Sequence, residues 1–372
     1  MYFRRRRVNM ARRKARKMQP AVETLTFELG STGIASTSPG WVPGQETYFL
    51  DISQICSIAN RRFYRQGLNW AISGFRLIST NVVRNSEQPV TAAPSGSVTV
   101  QKLPQTWIMS NAWEKSFRAW QRMNKEALAE NPSVKPKFLD FKIYMDSKHH
   151  ELGYARNQLP VVLDGTPVGG YTEATQGEWE PSKIHYPLAV GAVEGAMREC
   201  ELIAVGQSFP GAGASGVDAV SLIEGYAASR GLPNILDPNT PLDAADADNA
   251  TPENWLAAMF NEGTGQTEDV ISDMISENNI APYPFENDGI HNDTMYPGGA
   301  NQLNGLQLHT VEAVTGTTVG GVTYLKGGNF PCGLIRIDTF NNDQTYEMYN
   351  VLQIDLVPGT HRGYLAESMT EM

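Results

Sequence analysis

Thr24-Leu25-Thr26-Phe27-Glu28-Leu29 alternates polar and apolar residues with a period of two, and the Ser-, Thr-, Pro- and Gly-rich stretch from Gly30 to Gly44 breaks it. Successive side chains of a strand point to opposite faces, so this pattern suits a strand with one buried face. We read a first strand followed by a loop. Further strand-like runs lie at Thr47–Ile52, Trp70–Ser79 (WAISGFRLIS), Ser97–Leu103, Lys137–Met145 (KFLDFKIYM), Arg198–Val205, Leu306–Val314, Gly333–Asp338 and Tyr349–Val357 (YNVLQIDLV). Strands spread over the whole chain and separated by long irregular connections argue against alternating βαβ units. They favour an antiparallel sandwich or jelly roll. The 34 Gly and 22 Pro among 372 residues agree, since both residues punctuate turns.

One segment breaks the β pattern. From Gln105 to Glu130 the residues Trp113, Phe117 and Trp120 fall at i, i+4 and i+7, with Met123 continuing the stripe and Glu114, Lys115, Arg118, Gln121 and Arg122 on the other faces. Pro104 precedes this helix and Asn131-Pro132 ends it. The one-sided aromatics read as core over an open end or face of the sheet rather than as a platform for stacking bases.

The charge is split along the chain. Nine of the 30 Lys and Arg lie in the first seventeen residues (Arg4, Arg5, Arg6, Arg7, Arg12, Arg13, Lys14, Arg16 and Lys17) without an acidic residue among them, leaving 21 against all 40 Asp and Glu. Residues 18–372 therefore carry a formal charge of −19. A run of this composition buries no apolar surface and is expected to stay disordered until it meets a polyanion. Nine charges on a single-stranded nucleic acid give a log affinity against log salt slope of roughly −6, from about −0.7 per neutralised phosphate. With only Tyr2 and Phe3 as aromatics, the arm should bind without sequence preference. A nuclear localisation signal uses the same composition, which makes an import receptor a second partner of the arm. A mitochondrial transit peptide is the poorer reading, because four consecutive Arg suit an amphipathic helix badly.

From Gly231 to Leu325 there is no Lys or Arg, against fourteen Asp and Glu. Such a segment should face away from nucleic acid. Within it PENWLAAMF and TEDVISDMI read as two short amphipathic helices capped by Thr251 and Thr267. Asp269, Asp273 and Glu277 share one face of the second; a solvated face is the first reading and a Ca²⁺ site between subunits the other.

Chemistry-bearing motifs are few. The chain has no GxxxxGK[ST], GxSxG, HExxH or EF-hand pattern. GAGASG at 211–216 reads as a flexible loop, and His149-His150-Glu151 as a solvated loop rather than a partial metal site. Cys56, Cys200 and Cys332 are odd in number and far apart, so we expect buried free thiols. No catalytic residue, metal ligand or cofactor site is assigned. A second basic cluster, Arg61, Arg62 and Arg65 within NRRFYR, extends the phosphate-facing surface together with Lys135 and Lys137; ordinary solvated charge is the competing reading. There is no run of eighteen apolar residues and no signal-peptide h-region, so membrane spanning and secretion are not expected.

The order of features resembles capsid proteins of circular, Rep-encoding single-stranded DNA viruses. It runs from the arginine-rich arm and early strands through KLPQTWIMSNAWEKSFRAWQRMN (102–124) and KFLDFKIYMD (137–146) to a long variable middle and a final VLQIDLVPG (351–359). The LPxTW…AWxxxFxxWxxM pattern is its most specific part. The resemblance implies a single viral jelly roll, all-β, with residues 1–20 as a disordered nucleic-acid-binding arm and 21–372 as the shell domain. One amphipathic helix and an acidic surface insertion at 206–305 would interrupt the strands. It also implies a non-enzymatic protein that assembles with itself into an icosahedral shell of about 60 copies around a single-stranded DNA genome. Such a protein would reside in the virion, pass through the host nucleus during assembly, and meet a host receptor of unknown identity. A β-sandwich carbohydrate-binding protein or glycoside hydrolase with acidic loops is the alternative from another class.

Overall fold

Eight long strands carry the fold in a computed structural model that describes residues 21–35, 43–83, 89–130, 132–134, 139–163, 171–187, 197–230, 305–316 and 321–372. They are β1 (Thr24–Thr32), β2 (Gly44–Asp51), β3 (Leu68–Val82), β4 (Ser95–Lys102), β5 (Gln307–Thr315), β6 (Val322–Phe330), β7 (Leu334–Asn341) and β8 (Glu347–Leu356). One sheet runs β1-β8-β3-β6 and the other β2-β7-β4-β5, with every one of these neighbours antiparallel. The protein is thus mostly β, built on two antiparallel sheets over a shared core.

Period-two patterning places that core. Along β8 the residues Met348, Leu352, Ile354 and Leu356 are buried, and Leu352 stands opposite both Phe27 on β1 and Leu77 on β3. The second sheet turns Tyr48, Leu50, Val98, Val100, Ile335 and Ile337 toward them, and all these side chains form one cluster. Burial at this density is the main favourable term in holding the sheets together.

β6 is not among the strand-like runs read above, although its start, Val322-Thr323-Tyr324-Leu325, is β-prone and alternates in burial. Its centre is Gly327-Gly328, where a Cβ on Gly327 would lie 2.2 Å from the carbonyl oxygens of Ile72 and Ser73 on β3. Backbone proximity, not side-chain alternation, selects the residue there. The run 137–145, read as a strand, is not one over its described residues: Lys142 N–H donates to Ser182 Oγ (2.9 Å) and Ile143 N–H to Gln66 Oε1 (2.7 Å), leaving a single bridge between Tyr144 and Ile203. Phe141, Ile143, Tyr144 and Met145 are all buried, and backbone pairing is confined to the end of the run, where Tyr144 N–H donates to Leu202 C=O (2.8 Å) and the Tyr144 and Met145 carbonyls accept from Ala204 and Val205 N–H (2.9 and 3.3 Å).

The long helix α2 (Trp107–Glu130) follows its aromatic stripe, with Trp113 and Trp120 buried and Phe117 partly so. Trp120 meets Phe141 at a centroid distance of 5.3 Å, and the cluster continues to Phe49 and Leu334 on the second sheet. Three shorter helices also occur among the described residues. α1 (Ile52–Asn60) buries Ile52, Ile55 and Cys56 behind an Asp51 N-cap, and α3 spans Ser147–Leu152. α4 (Leu222–Arg230) packs against α2 and puts Leu222, Ile223 and Tyr226 into the same cluster, so the described part of the acidic insertion, residues 206–230, contributes to the core. The three cysteines are buried free thiols, as expected.

Candidate nucleic-acid interface

Arg4, Arg5, Arg6, Arg7, Arg12, Arg13, Lys14, Arg16 and Lys17 lie outside the described residues, but the point where the arm joins the body is well defined. Val22 N–H donates to Asn60 Oδ1 (3.0 Å), and Val22 C=O accepts from Tyr364 Oη (2.6 Å). Asn60 Nδ2 closes the triangle on Tyr364 Oη at 2.7 Å. Asn60 is the last residue of α1, so the arm meets the body one residue from Arg61.

The basic loop after α1 is held by specific bonds. Arg61 takes a left-handed conformation (φ 54°) as the helix C-cap and is exposed, Arg62 is half-buried, and Arg65 is exposed. Arg65 Nε donates to Leu139 C=O (3.2 Å), and its guanidinium lies 5.8 Å from the Phe63 ring. Tyr64 Oη donates to Arg362 C=O (3.0 Å), while the Arg362 guanidinium donates to Phe63 C=O. Tyr64, Trp70 and Tyr364 pack with centroids 5.6–5.8 Å apart, and His361 lies at the edge of the same group.

Arg61, Arg62 and Arg65 are therefore gathered at one place beside the start of the arm, and the fold adds Arg362 and His361 from the far end of the chain. Nothing local in Pro358-Gly359-Thr360-His361-Arg362-Gly363 marks these two as basic-site residues; only strand pairing of β8 and the short β segments after it brings them to α1. Lys135 and Lys137 lie outside the described residues, as do Asp269, Asp273 and Glu277.

Asp140 borders the site, with Oδ1 accepting from Gln66 N–H (3.3 Å). Burial pushes its carboxyl up to about 6, against the pull of Lys142. Below that pH the nearby arginines face a neutral group. At neutral pH the carboxylate partly offsets them.

His149-His150-Glu151 is not a solvated loop. His149 and His150 are both buried on α3, and His150 Nε2 lies 3.0 Å from the buried Glu201 Oε2. The segment is helical rather than extended, because Asp146 caps a helix here by accepting from His149 N–H (2.8 Å). His149 Nδ1 accepts from Met145 N–H (3.1 Å) and Nε2 donates to Asn157 Oδ1 (2.7 Å), which requires a neutral ring; its face stacks on Phe49 at 4.4 Å. Burial holds its pKa down at about 3.

The unfolded chain binds this proton below about pH 6.5 and the native state does not until about 3, so His149 contributes stability above 6.5 that is lost as pH falls. The cost is about 1.4 kcal/mol per pH unit. The raised carboxyls of Asp51, Asp140 and Asp146 act in the opposite sense, because they are protonated more readily in the folded state. Chemical denaturation of wild type and His149→Gln at pH 7 and pH 5 separates the two contributions. The stability gap between the proteins should shrink by about 2 kcal/mol on acidification. An unchanged gap would show that the imidazole is not held neutral.

Among the described residues no group of three or more His, Cys, Asp or Glu is placed to hold a metal, and no helix is long and apolar enough to cross a membrane. GAGASG is an exposed turn in which Gly211 N–H donates to Asp218 Oδ1 (3.1 Å). Comparison with protein-family models, curated proteins and solved structures finds no match for this chain.

Proposed function

We propose that this protein is a self-assembling viral coat protein whose body is a single jelly roll and whose N-terminal arm binds packaged single-stranded DNA. The observation that carries the reading is the strand order. The eight long strands pair as 1-8-3-6 and 2-7-4-5, the two-sheet, double Greek-key arrangement used by capsid, lectin and cupin domains. Sugar recognition has no use for nine positive charges ahead of the first strand, whereas packaging does. The seating of Val22 on Asn60 supports the same assignment because it attaches the chain that follows the arm beside a second basic cluster, Arg61, Arg62 and Arg65.

Self-association has its own support. β5 and β6 are each one of the two outer strands of their sheets, and Leu308, Val311 and Tyr324 on them are 58%, 52% and 70% exposed. Exposed apolar side chains on outer strands favour contacts with further copies. In this reading the acidic stretch 231–304, which lies outside the described residues, belongs on the shell's exterior, away from the packaged strand, whereas the end of the 231–325 segment forms β5 and the start of β6, with Val314 and Leu325 in the core. The import receptor, the host receptor and the passage through the nucleus belong to this same proposal. Sedimentation velocity and electron microscopy of the purified full-length protein test it. Closed megadalton particles of about 60 copies are expected. A monomer or small oligomer under every salt and nucleic-acid condition would overturn the reading.

A further inference from the structure

Beside the join between arm and body lies a cavity of about 250 Å³ whose wall includes Phe63, Arg65, Trp113, Phe117, Asp140 and Arg362. It is smaller than the roughly 300–1,000 Å³ of ordinary small-molecule sites, which suits a single flat ring better than an extended ligand. Its aromatic wall is ordered: Trp113 and Phe117 stack at 4.9 Å with 21° between their planes. Gly67 is part of the construction, since a Cβ there would lie 2.2 Å from the Trp113 ring. Arg65 and Arg362 supply positive charge, and both side chains are anchored by donation to backbone carbonyls, those of Leu139 and Phe63.

We infer that this cavity receives one unpaired base of the strand bound by the arm, with the ring against Phe63 and the flanking phosphates at Arg65 and Arg362. The inference rests on the coat-protein reading and adds to it a base contact that the arm cannot make. Stacking on aromatic side chains tolerates any base, so no base preference is expected.

The test uses the full-length protein with two labelled probes, a 20-residue oligodeoxycytidine and an abasic strand of equal length and charge. Wild type should bind the oligodeoxycytidine about tenfold more tightly than the abasic strand, and Phe63→Ala should bring that ratio close to one while leaving affinity for the abasic strand unchanged. Photo-crosslinking of wild type to 5-iododeoxycytidine strands, read by mass spectrometry, should mark Phe63, Trp113 or Phe117, and it decides the matter if the variant does not fold. Adducts confined to residues 1–20, or an equal ratio in wild type and Phe63→Ala, overturn the inference. Occupation of the cavity by Tyr2 or Phe3 of the arm, or by a second copy, would give that result. Shells that form yet bind both strands equally remove the base site alone. A protein that forms no shells and binds neither strand removes the coat-protein reading itself.

Discussion

Replacing Asp51 with alanine should lower the stability of the subunit by about 3–5 kcal/mol, the cost of breaking a fully buried, fully hydrogen-bonded charged group. Asp51 has no exposed surface and accepts five bonds. Its Oδ1 takes Ser53 N–H (2.9 Å), Ser53 Oγ (2.5 Å) and Gln54 N–H (3.3 Å) at the start of α1. Its Oδ2 takes Gln66 Nε2 (3.0 Å) and Trp179 Nε1 (3.3 Å). Burial pushes the carboxyl pKa up and these donors pull it down, with burial the larger effect.

The consequence of truncation follows from what stays behind. Alanine removes the helix cap, worth about 0.5–2 kcal/mol, and takes the acceptor from Trp179 Nε1 and from one N–H of Gln66 Nε2, which keeps its bond to Ile143 C=O (3.1 Å). Gln66 also receives Ile143 N–H, so the damage reaches the segment that lies between the sandwich and α2. Urea denaturation should show a lower midpoint with an unchanged slope. A variant within 1 kcal/mol of wild type would mean that water replaces the carboxylate and that the network holds nothing together.

Deleting residues 1–20 should leave the body folded and able to assemble while removing most nucleic-acid uptake. The contacts that seat the chain on the body begin at Val22 and survive the deletion. The salt dependence makes the test quantitative. The deletion should flatten the log–log slope by roughly 6, the contribution of nine phosphate contacts at about 0.7 each. Arg61, Arg62 and Arg65 should leave a residual slope of roughly −2 on the same basis. Anisotropy titrations across a salt series measure both values, and the absorbance ratio of purified particles measures uptake. Undiminished nucleic-acid content after deletion would sink the arm's assigned role.

Seven of the eight long strands have a counterpart in the sequence because each has one face in the core, and a half-buried strand must alternate. β6 escaped because its β-prone start at Val322–Leu325 is only four residues long before Lys326-Gly327-Gly328-Asn329, where Gly327 is selected by the backbone of β3 and carries no hydropathy signal. The run through Phe141, Ile143, Tyr144 and Met145 misled in the opposite direction: an apolar run reports burial, and how far a partner strand satisfies its backbone is decided elsewhere in the chain. α1 is too short to show its period against the strand before it, and Asp51 as its cap becomes recognisable only once Ser53 and Gln54 are seen to bond it.

The sequence by itself determined the mainly β architecture, the aromatic helix and the opposition between a basic arm and an acidic body, since composition and periodicity are properties of neighbouring residues. Tertiary structure alone decided the strand order, the burial of His149 and His150, and the meeting of Arg61, Arg62 and Arg65 with His361 and Arg362. Those last two residues stand some 300 positions from Arg61 and reach it only because β8 pairs between β1 and β3 and the chain after it returns to the edge of β3. A contact across that separation depends on the register of several strands at once, and local patterning contains no record of register between strands so far apart.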